Sequence, residues 1–126
     1  MISEKAISKA VLDASFPIHS DLGPGLLEKV YERVLQAELI DKGFDVRRQV
    51  PIPIKYRNLE FDEAFRADLI VENMMLIELK ASETNHPVYY RQAVSYLKLA
   101  SMRFGLLINF GSEHLKDGIK RVVNGY

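Results

Sequence analysis

An aspartate, a glutamate and a lysine interrupt two otherwise apolar runs in the middle of the chain. Asp68 sits in Phe65-Arg66-Ala67-Asp68-Leu69-Ile70-Val71, and Glu78 and Lys80 sit in Met75-Leu76-Ile77-Glu78-Leu79-Lys80. Both segments read as strands, with Glu72-Asn73-Met74 closing a hairpin between them. With a three-residue loop, Val71 pairs with Met75, Asp68 falls opposite Glu78, and Lys80 projects from the same face two residues on. Leu69, Val71, Ile77 and Leu79 then share the other face, an apolar surface for helices to cover. A two-residue loop would oppose Asp68 to Ile77 and waste that pattern.

Two neighbouring carboxylates repel, and burying them is costly unless something positive lies between. A divalent cation answers this. Magnesium, or manganese in its place, takes oxygen ligands from one or two carboxylates, waters and a substrate phosphate; Asp68, Glu78 and the Leu79 carbonyl can supply the protein's share. Lys80 would then stand beside a bound phosphate or water. There it can stabilise the charge that develops as water attacks phosphorus, or orient or deprotonate that water. The expected chemistry is metal-assisted phosphodiester hydrolysis. The ordinary reading of Glu-x-Lys on a strand is a solvated face with a cross-strand ion pair. The apolar neighbours Leu76, Ile77 and Leu79 argue against it.

Other residues offer themselves as neighbours of this patch. Glu28 and Tyr31 share a helix face at a three-residue interval, and Glu28 is a candidate third metal carboxylate, or else a first-turn acid favoured by the helix dipole. Gln92 and Tyr96, four apart on a later helix, can hold the lysine, a water or a phosphate. His19 is a further candidate from the end of the first helix, although a histidine there is more often a cap. Arg66 and Arg91 are candidate substrate contacts, and with Arg47, Arg48, Lys55 and Arg57 they outline a phosphate path. Scattered solubilising charge explains these cations equally well.

The elements that must position these groups follow from apolar spacing. Ile7, Ala10, Val11, Ala14 and Ile18 recur with the period of a half-buried helix over about 4–20, which Pro17 is expected to bend or shorten. After Gly23-Pro24-Gly25, the stripe Leu26, Leu27, Val30, Tyr31, Val34, Leu35 and Leu39 predicts a second helix ending at Gly43. Val46, Val50, Ile52 and Ile54 alternate over 44–56, where Pro51 and Pro53 demand an edge strand or a bulge, and Arg57-Asn58 reads as a turn. The span 88–102 reads as a helix with Pro87 near its first turn, and 104–110 as a strand covered on both faces. The stretch 112–124 is ambiguous. Helix, helix, three or four strands, helix and strand make an α/β fold, a mixed sheet flanked by helices.

Composition narrows the function classes. The 126 residues suit one domain spanning 1–126. Seventeen basic residues balance seventeen acidic ones, so any site for a polyanion must be local. The chain has no cysteine, which excludes disulfides, thiolate zinc and cysteine catalysis and suits a cytoplasmic setting. No stretch reads as a membrane span or secretory signal. The first few residues and Asn124-Gly125-Tyr126 read as tails. The Val88-Tyr89-Tyr90 patch, or the edge near Pro51, offers a surface for a homodimer or a protein partner.

Together these residues resemble the GxxExxY proteins, a small branch of the PD-(D/E)XK nuclease-like superfamily. The naming motif stands as Gly25-Leu26-Leu27-Glu28-Lys29-Val30-Tyr31, preceded by His19 and Leu22-Gly23-Pro24. Arg66-Ala67-Asp68 looks like the motif aspartate, Glu78-Leu79-Lys80 like the (D/E)XK tripeptide, and Gln92-Ala93-Val94-Ser95-Tyr96 like the QxxxY helix of exonuclease-type members. Ile108-Asn109-Phe110-Gly111 looks like the strand after that helix. The resemblance implies an αβββαβ core with an extra N-terminal helix. It also implies Asp68 and Glu78 as metal ligands, Lys80 as the catalytic lysine, and Glu28 as the helix carboxylate completing the site. Ala67 stands where the proline of PD would be, a position that is not a ligand. The expected activity is a magnesium-dependent nuclease acting on nucleic acid, with DNA as the expected substrate. The rival expectation is an inactive nuclease-like module that binds nucleic acid or a protein partner.

Overall fold

The computed structural model describes residues 2–125, so Met1 and Tyr126, the outer ends of the two expected tails, lie outside the described residues. Ser3 caps the first helix, α1 (Glu4–Leu22), its hydroxyl accepting the Ala6 amide at 3.1 Å. Ile7, Val11, Ala14 and Ile18 form the buried stripe of α1. Pro17 does not shorten the helix, which runs five residues beyond it: it lies on the exposed side, where water can serve the backbone that it leaves unpaired, while Ile18 is held in the core. The chain turns only at Gly23, at φ 74°.

The second helix, α2 (Glu28–Asp41), begins later than the stripe suggests, because Leu26 and Leu27 are exposed in the loop before it. Tyr31, Leu35 and Leu39 are buried. Its end is as expected. Gly43 at φ 94° donates to the Ile40 carbonyl and Phe44 to that of Leu39, the paired bonds of a Schellman motif.

Five strands follow in spatial order: β1 (Val46–Tyr56), β2 (Leu59–Val71), β3 (Met75–Lys80), β4 (Phe104–Asn109) and β5 (Ile119–Val123). β1 is an edge strand, and its register with β2 shifts between Ile52 and Ile54, around Pro53, as its prolines require. Arg57 and Asn58 form the turn into β2, which starts six residues earlier than the apolar run suggested. β2 and β3 pair antiparallel with Val71 opposite Met75, around the three-residue turn 72–74. β3 and β4 are parallel, joined by the crossover helix α3 (Pro87–Leu99), with Pro87 in its first turn. The ambiguous segment resolves into a short 3-10 turn (Leu115–Gly118) and β5, antiparallel to β4. Asn124 is no tail, since its amide donates to the Arg103 carbonyl at 2.8 Å.

One apolar layer lies between the sheet and α1 and α2 and contains Leu69, Val71, Ile77 and Leu79, as the alternation predicted. The other joins Ile70, Leu76 and Leu107 to Ala93 and Leu97 of α3. The described residues thus form an α/β sandwich of three helices around a five-stranded mixed sheet, with the N-terminal helix α1 added to the expected core. No helix among the described residues is long and apolar enough to cross a membrane.

Candidate active site

Both ladders that flank Asp68 give way at that residue. On the β3 side, regular pairing runs from Val71–Met75 to Leu69–Ile77. One step further, the carboxylates take the place of the ladder carbonyls: the Asp68 amide donates to Glu78 Oε1 at 3.3 Å, and the Leu79 amide to Asp68 Oδ2 at 2.8 Å. On the β1 side, Gln49 lies between the Arg48–Leu69 and Val50–Ala67 pairs and takes a left-handed φ of 52°, rare for a residue with a side chain. The Gln49 amide nitrogen donates to Glu32 Oε2 at 2.8 Å and to Asp68 Oδ1 at 3.3 Å. Asp68 and Glu78 are both buried, with 8% and 5% of their surface exposed. The expected opposition of the two acids is therefore present.

Lys80 follows on the same strand. Its Nζ donates to Gln92 Oε1 of α3 at 2.9 Å and stands 4.9 Å from the centre of the Tyr89 ring. Tyr96, one turn beyond Gln92, stacks on Phe65 of β2 with ring centres 3.9 Å apart. Glu28 is the first residue of α2, where the helix dipole favours a carboxylate.

The electrostatics show how closely these groups are gathered. Burial pushes the Glu28 carboxyl up to about 7, Asp68 raising it further and Lys80 opposing. Burial also raises Asp68 and Glu78, the latter more, and the charge of Asp68 adds to the shift of Glu78. The Tyr96 phenol is raised by burial, then by Glu78 and Asp68. Glu28, Asp68, Glu78, Lys80, Gln92 and Tyr96 thus gather in one cluster, contributed by α2, β2, β3 and α3.

The donor set suits a hard divalent cation: two opposed carboxylates on a rigid strand pair, with a third from α2 close enough to feel their charge. A cation would offset the burial and like charge that raise the proton affinity of these acids. Among the described residues, no three His, Cys, Asp or Glu groups form a ready-made cage, so waters and a phosphate would have to complete the coordination.

Other candidates are engaged elsewhere. The Tyr31 hydroxyl accepts the Gly25 and Leu26 amides at 3.1 and 3.0 Å and donates to the Gly23 carbonyl, while its ring stacks on Phe110. It thereby pins the loop that launches α2 and so places Glu28. His19 Nε2 lies 2.7 Å from the Ser112 carbonyl. Arg66 is ion-paired with Glu63 at 2.9 Å on the exposed part of β2, and Arg91 is exposed near the start of α3. Arg47 bonds Asn73, Arg48 pairs with Glu32, Lys55 pairs with Glu60, and Arg57 lies over Tyr56, so these cations do not form one continuous path.

The sequence reading missed three groups. Glu32 is buried and accepts from Arg48 and from Gln49, which carries the link on to Asp68; its place four residues after Glu28, beside the apolar stripe, was the available signal. Gln49 carried none, since nothing in its neighbours marks a left-handed backbone. Asn109, buried at the end of β4, accepts the Ser82 and Gly111 amides and donates to the Ser82 and Thr84 carbonyls, clamping the loop between Lys80 and α3. Gly111 is required beside it, because a Cβ there would lie 2.3 Å from the Ser82 carbonyl oxygen.

No match was found among curated proteins or among solved structures. The family model of the PD-(D/E)XK nuclease superfamily matches residues 5–122, a span that takes in every element from α1 to the buried end of β5. With that match over almost the whole chain, and with the aspartate, glutamate and lysine of the motif gathered on one strand pair, this protein belongs to the PD-(D/E)XK nuclease superfamily.

Proposed function

We propose that the protein is a metal-dependent nuclease that hydrolyses phosphodiester bonds in DNA, and that it belongs to the GxxExxY branch of its superfamily. The observation that carries the reading is the opposed, buried pair Asp68 and Glu78 with Lys80 held on the same strand by Gln92. Asp68 and Glu78 would hold a magnesium or manganese ion, with the Leu79 carbonyl and Glu28 as its other protein neighbours. Such an ion, when bound, makes water a stronger nucleophile and polarises the scissile phosphate.

The remaining work falls to the chain's own residues. Gln92 fixes the Lys80 ammonium, which stabilises the negative charge gathering on phosphorus and can orient the attacking water. Glu28, held near neutrality by its surroundings, can exchange a proton at the edge of the cluster. Tyr96 provides a phenol beside the carboxylates. The branch assignment rests on the Gly25-to-Tyr31 motif, in which Tyr31 ties down the Gly25 and Leu26 amides and Glu28 meets the carboxylates.

Purified protein is expected to cut plasmid or linear DNA when magnesium or manganese is supplied. Asp68→Ala and Lys80→Ala should abolish cutting while far-UV circular dichroism stays unchanged. Equal cutting by wild type and both variants would assign the activity to a contaminant and remove the proposal.

One observation favours the rival reading of an inactive module: both strand carboxylates already accept backbone amides. Calorimetric titration with manganese separates the two. A working centre binds the ion through Asp68 and Glu78, whereas a purely structural pair takes up no heat.

A further inference from the structure

Beside the carboxylate cluster, and distinct from it, an open groove of about 640 Å³ runs between the start of α3 and the β4–β5 pair. Its volume is that of a small-molecule site, which suits a short unpaired segment better than a double helix. We propose that this groove carries a single-stranded stretch of polynucleotide to or from Lys80, a reading that rests on the nuclease proposal for its direction but not for its chemistry.

The register ties the groove to the site. Glu78 and Lys80 pair with Leu107 and Asn109 across β3 and β4, and Leu107 pairs with Lys120 across β4 and β5. Cross-strand partners point to the same side of a sheet, so the site residues, the groove floor and Lys120 share the face that α3 covers. Tyr89 joins the two regions directly, lining the groove while its ring stands 4.9 Å from Lys80 Nζ.

The lining has the two components that hold unpaired nucleic acid, π-faces for bases and cations for phosphates. Tyr90 is 42% exposed, and His86 packs edge-on against Tyr89 with ring centres 5.2 Å apart. Arg91 and Lys120 are exposed along the same groove; Arg121 borders it, but its side chain follows Leu106 to the opposite face and pairs with Glu4. Among the described residues, Asp117 is the single carboxylate in the lining. On a chain with no net charge, this is a local excess of positive charge, and it meets aromatic surface that a duplex, with its bases already stacked, could not use.

Binding read by fluorescence anisotropy, with EDTA present so that nothing is cut, tests the groove apart from the chemistry. Labelled thymidine and uridine oligonucleotides are the probes, with a duplex of equal length alongside. The single strands should bind more tightly than the duplex, and the tighter of the two names the sugar that the groove prefers. Arg91→Glu with Lys120→Glu should weaken binding at least about tenfold and flatten the slope of log affinity against log salt by about 1.4. Tyr90→Ala should weaken it about tenfold. In the unaltered chain, strands carrying 5-iodouracil should photocrosslink to Tyr89 or Tyr90, which keeps the test open if a variant misfolds.

Folded variants that bind like wild type, crosslinks confined to other faces, equal affinity for the duplex, or full displacement by polyglutamate would each overturn the groove. Wild-type protein that binds through these residues but never cuts would leave the groove standing and remove the nuclease reading. Cutting that depends on Asp68 and Lys80, with groove variants binding normally, would do the reverse.

Discussion

The two faces of β3 divide the protein's tasks between alternate residues. Met75, Ile77 and Leu79 enter the layer beneath α1 and α2, where each is fully buried among apolar side chains. Leu76, Glu78 and Lys80 turn the other way, and only Leu76 is part of an apolar cluster. One face is complementary to its neighbours and stabilises the fold. The opposite face gathers acids whose mutual repulsion and burial oppose folding, and it is tolerable because the first face is so well packed. A strand buried on both sides holds its side chains rigidly, which a metal-dependent centre needs and a surface loop would not supply.

The largest effect should come from the apolar face. Ile77→Ala removes a fully buried side chain and should cost about 2–5 kcal/mol in urea unfolding, without touching a single charged group of the cluster. A cost near zero would mean that the layer under α1 and α2 does not carry the stability assigned to it. On the opposite face, Lys80→Met should lower cutting by about 10²–10³-fold while the midpoint of unfolding hardly moves. A loss of stability as large as that of Ile77→Ala would erase the division between the faces.

The acids sharpen the contrast through pH. Burial raises Asp68, Glu78 and Glu28 in the folded protein, so between their unfolded and folded values the native state binds more protons than the unfolded chain. Stability is then undiminished by these groups below about pH 3.8 and falls as pH rises through neutrality to about 8. Thermal melts of metal-free protein from pH 5 to 8 should show this decline, and Glu78→Gln should flatten it. Added manganese should raise the melting temperature at pH 8 and do little at pH 5, where protons compete for the same oxygens. A melt that rises with pH over this range would contradict the arrangement.

Smaller effects test the supports of each face. Gln92→Ala frees the Lys80 ammonium, and cutting should fall about tenfold, less than for loss of the lysine itself. If it falls as far, Gln92 has a role beyond holding Lys80. Tyr31→Phe removes the hydroxyl that binds Gly23, Gly25 and Leu26, and unfolding should become easier by about 1 kcal/mol. No change would show that the loop before α2 keeps its shape without that anchor.

Much of this was legible in the residues themselves. The hairpin register followed from a three-residue loop, which keeps Leu69, Val71, Ile77 and Leu79 on one face where a one-residue slip would split them, and that choice placed Asp68 against Glu78. Pro51 and Pro53 announced an edge strand with a bulge, and Gly43 announced the end of α2, because each restricts the backbone locally. Pro17 did not shorten α1, for the complementary reason. Its local cost is real, but packing of Ile18 on one side and water on the other outweighed it.

Local patterns thus determined the elements, the apolar faces and the motif acids, because helical and strand periods depend only on neighbours along the chain. Tertiary structure alone decided that Gln49 would twist left-handed to reach both Glu32 and Asp68, that Asn109 would clamp the loop after Lys80, and that the cations at Arg91 and Lys120 would flank one groove. Those groups lie far apart in sequence or in irregular backbone. Contacts of that kind leave no periodic trace, since what joins them is the closure of the sheet and the placing of α3 across it.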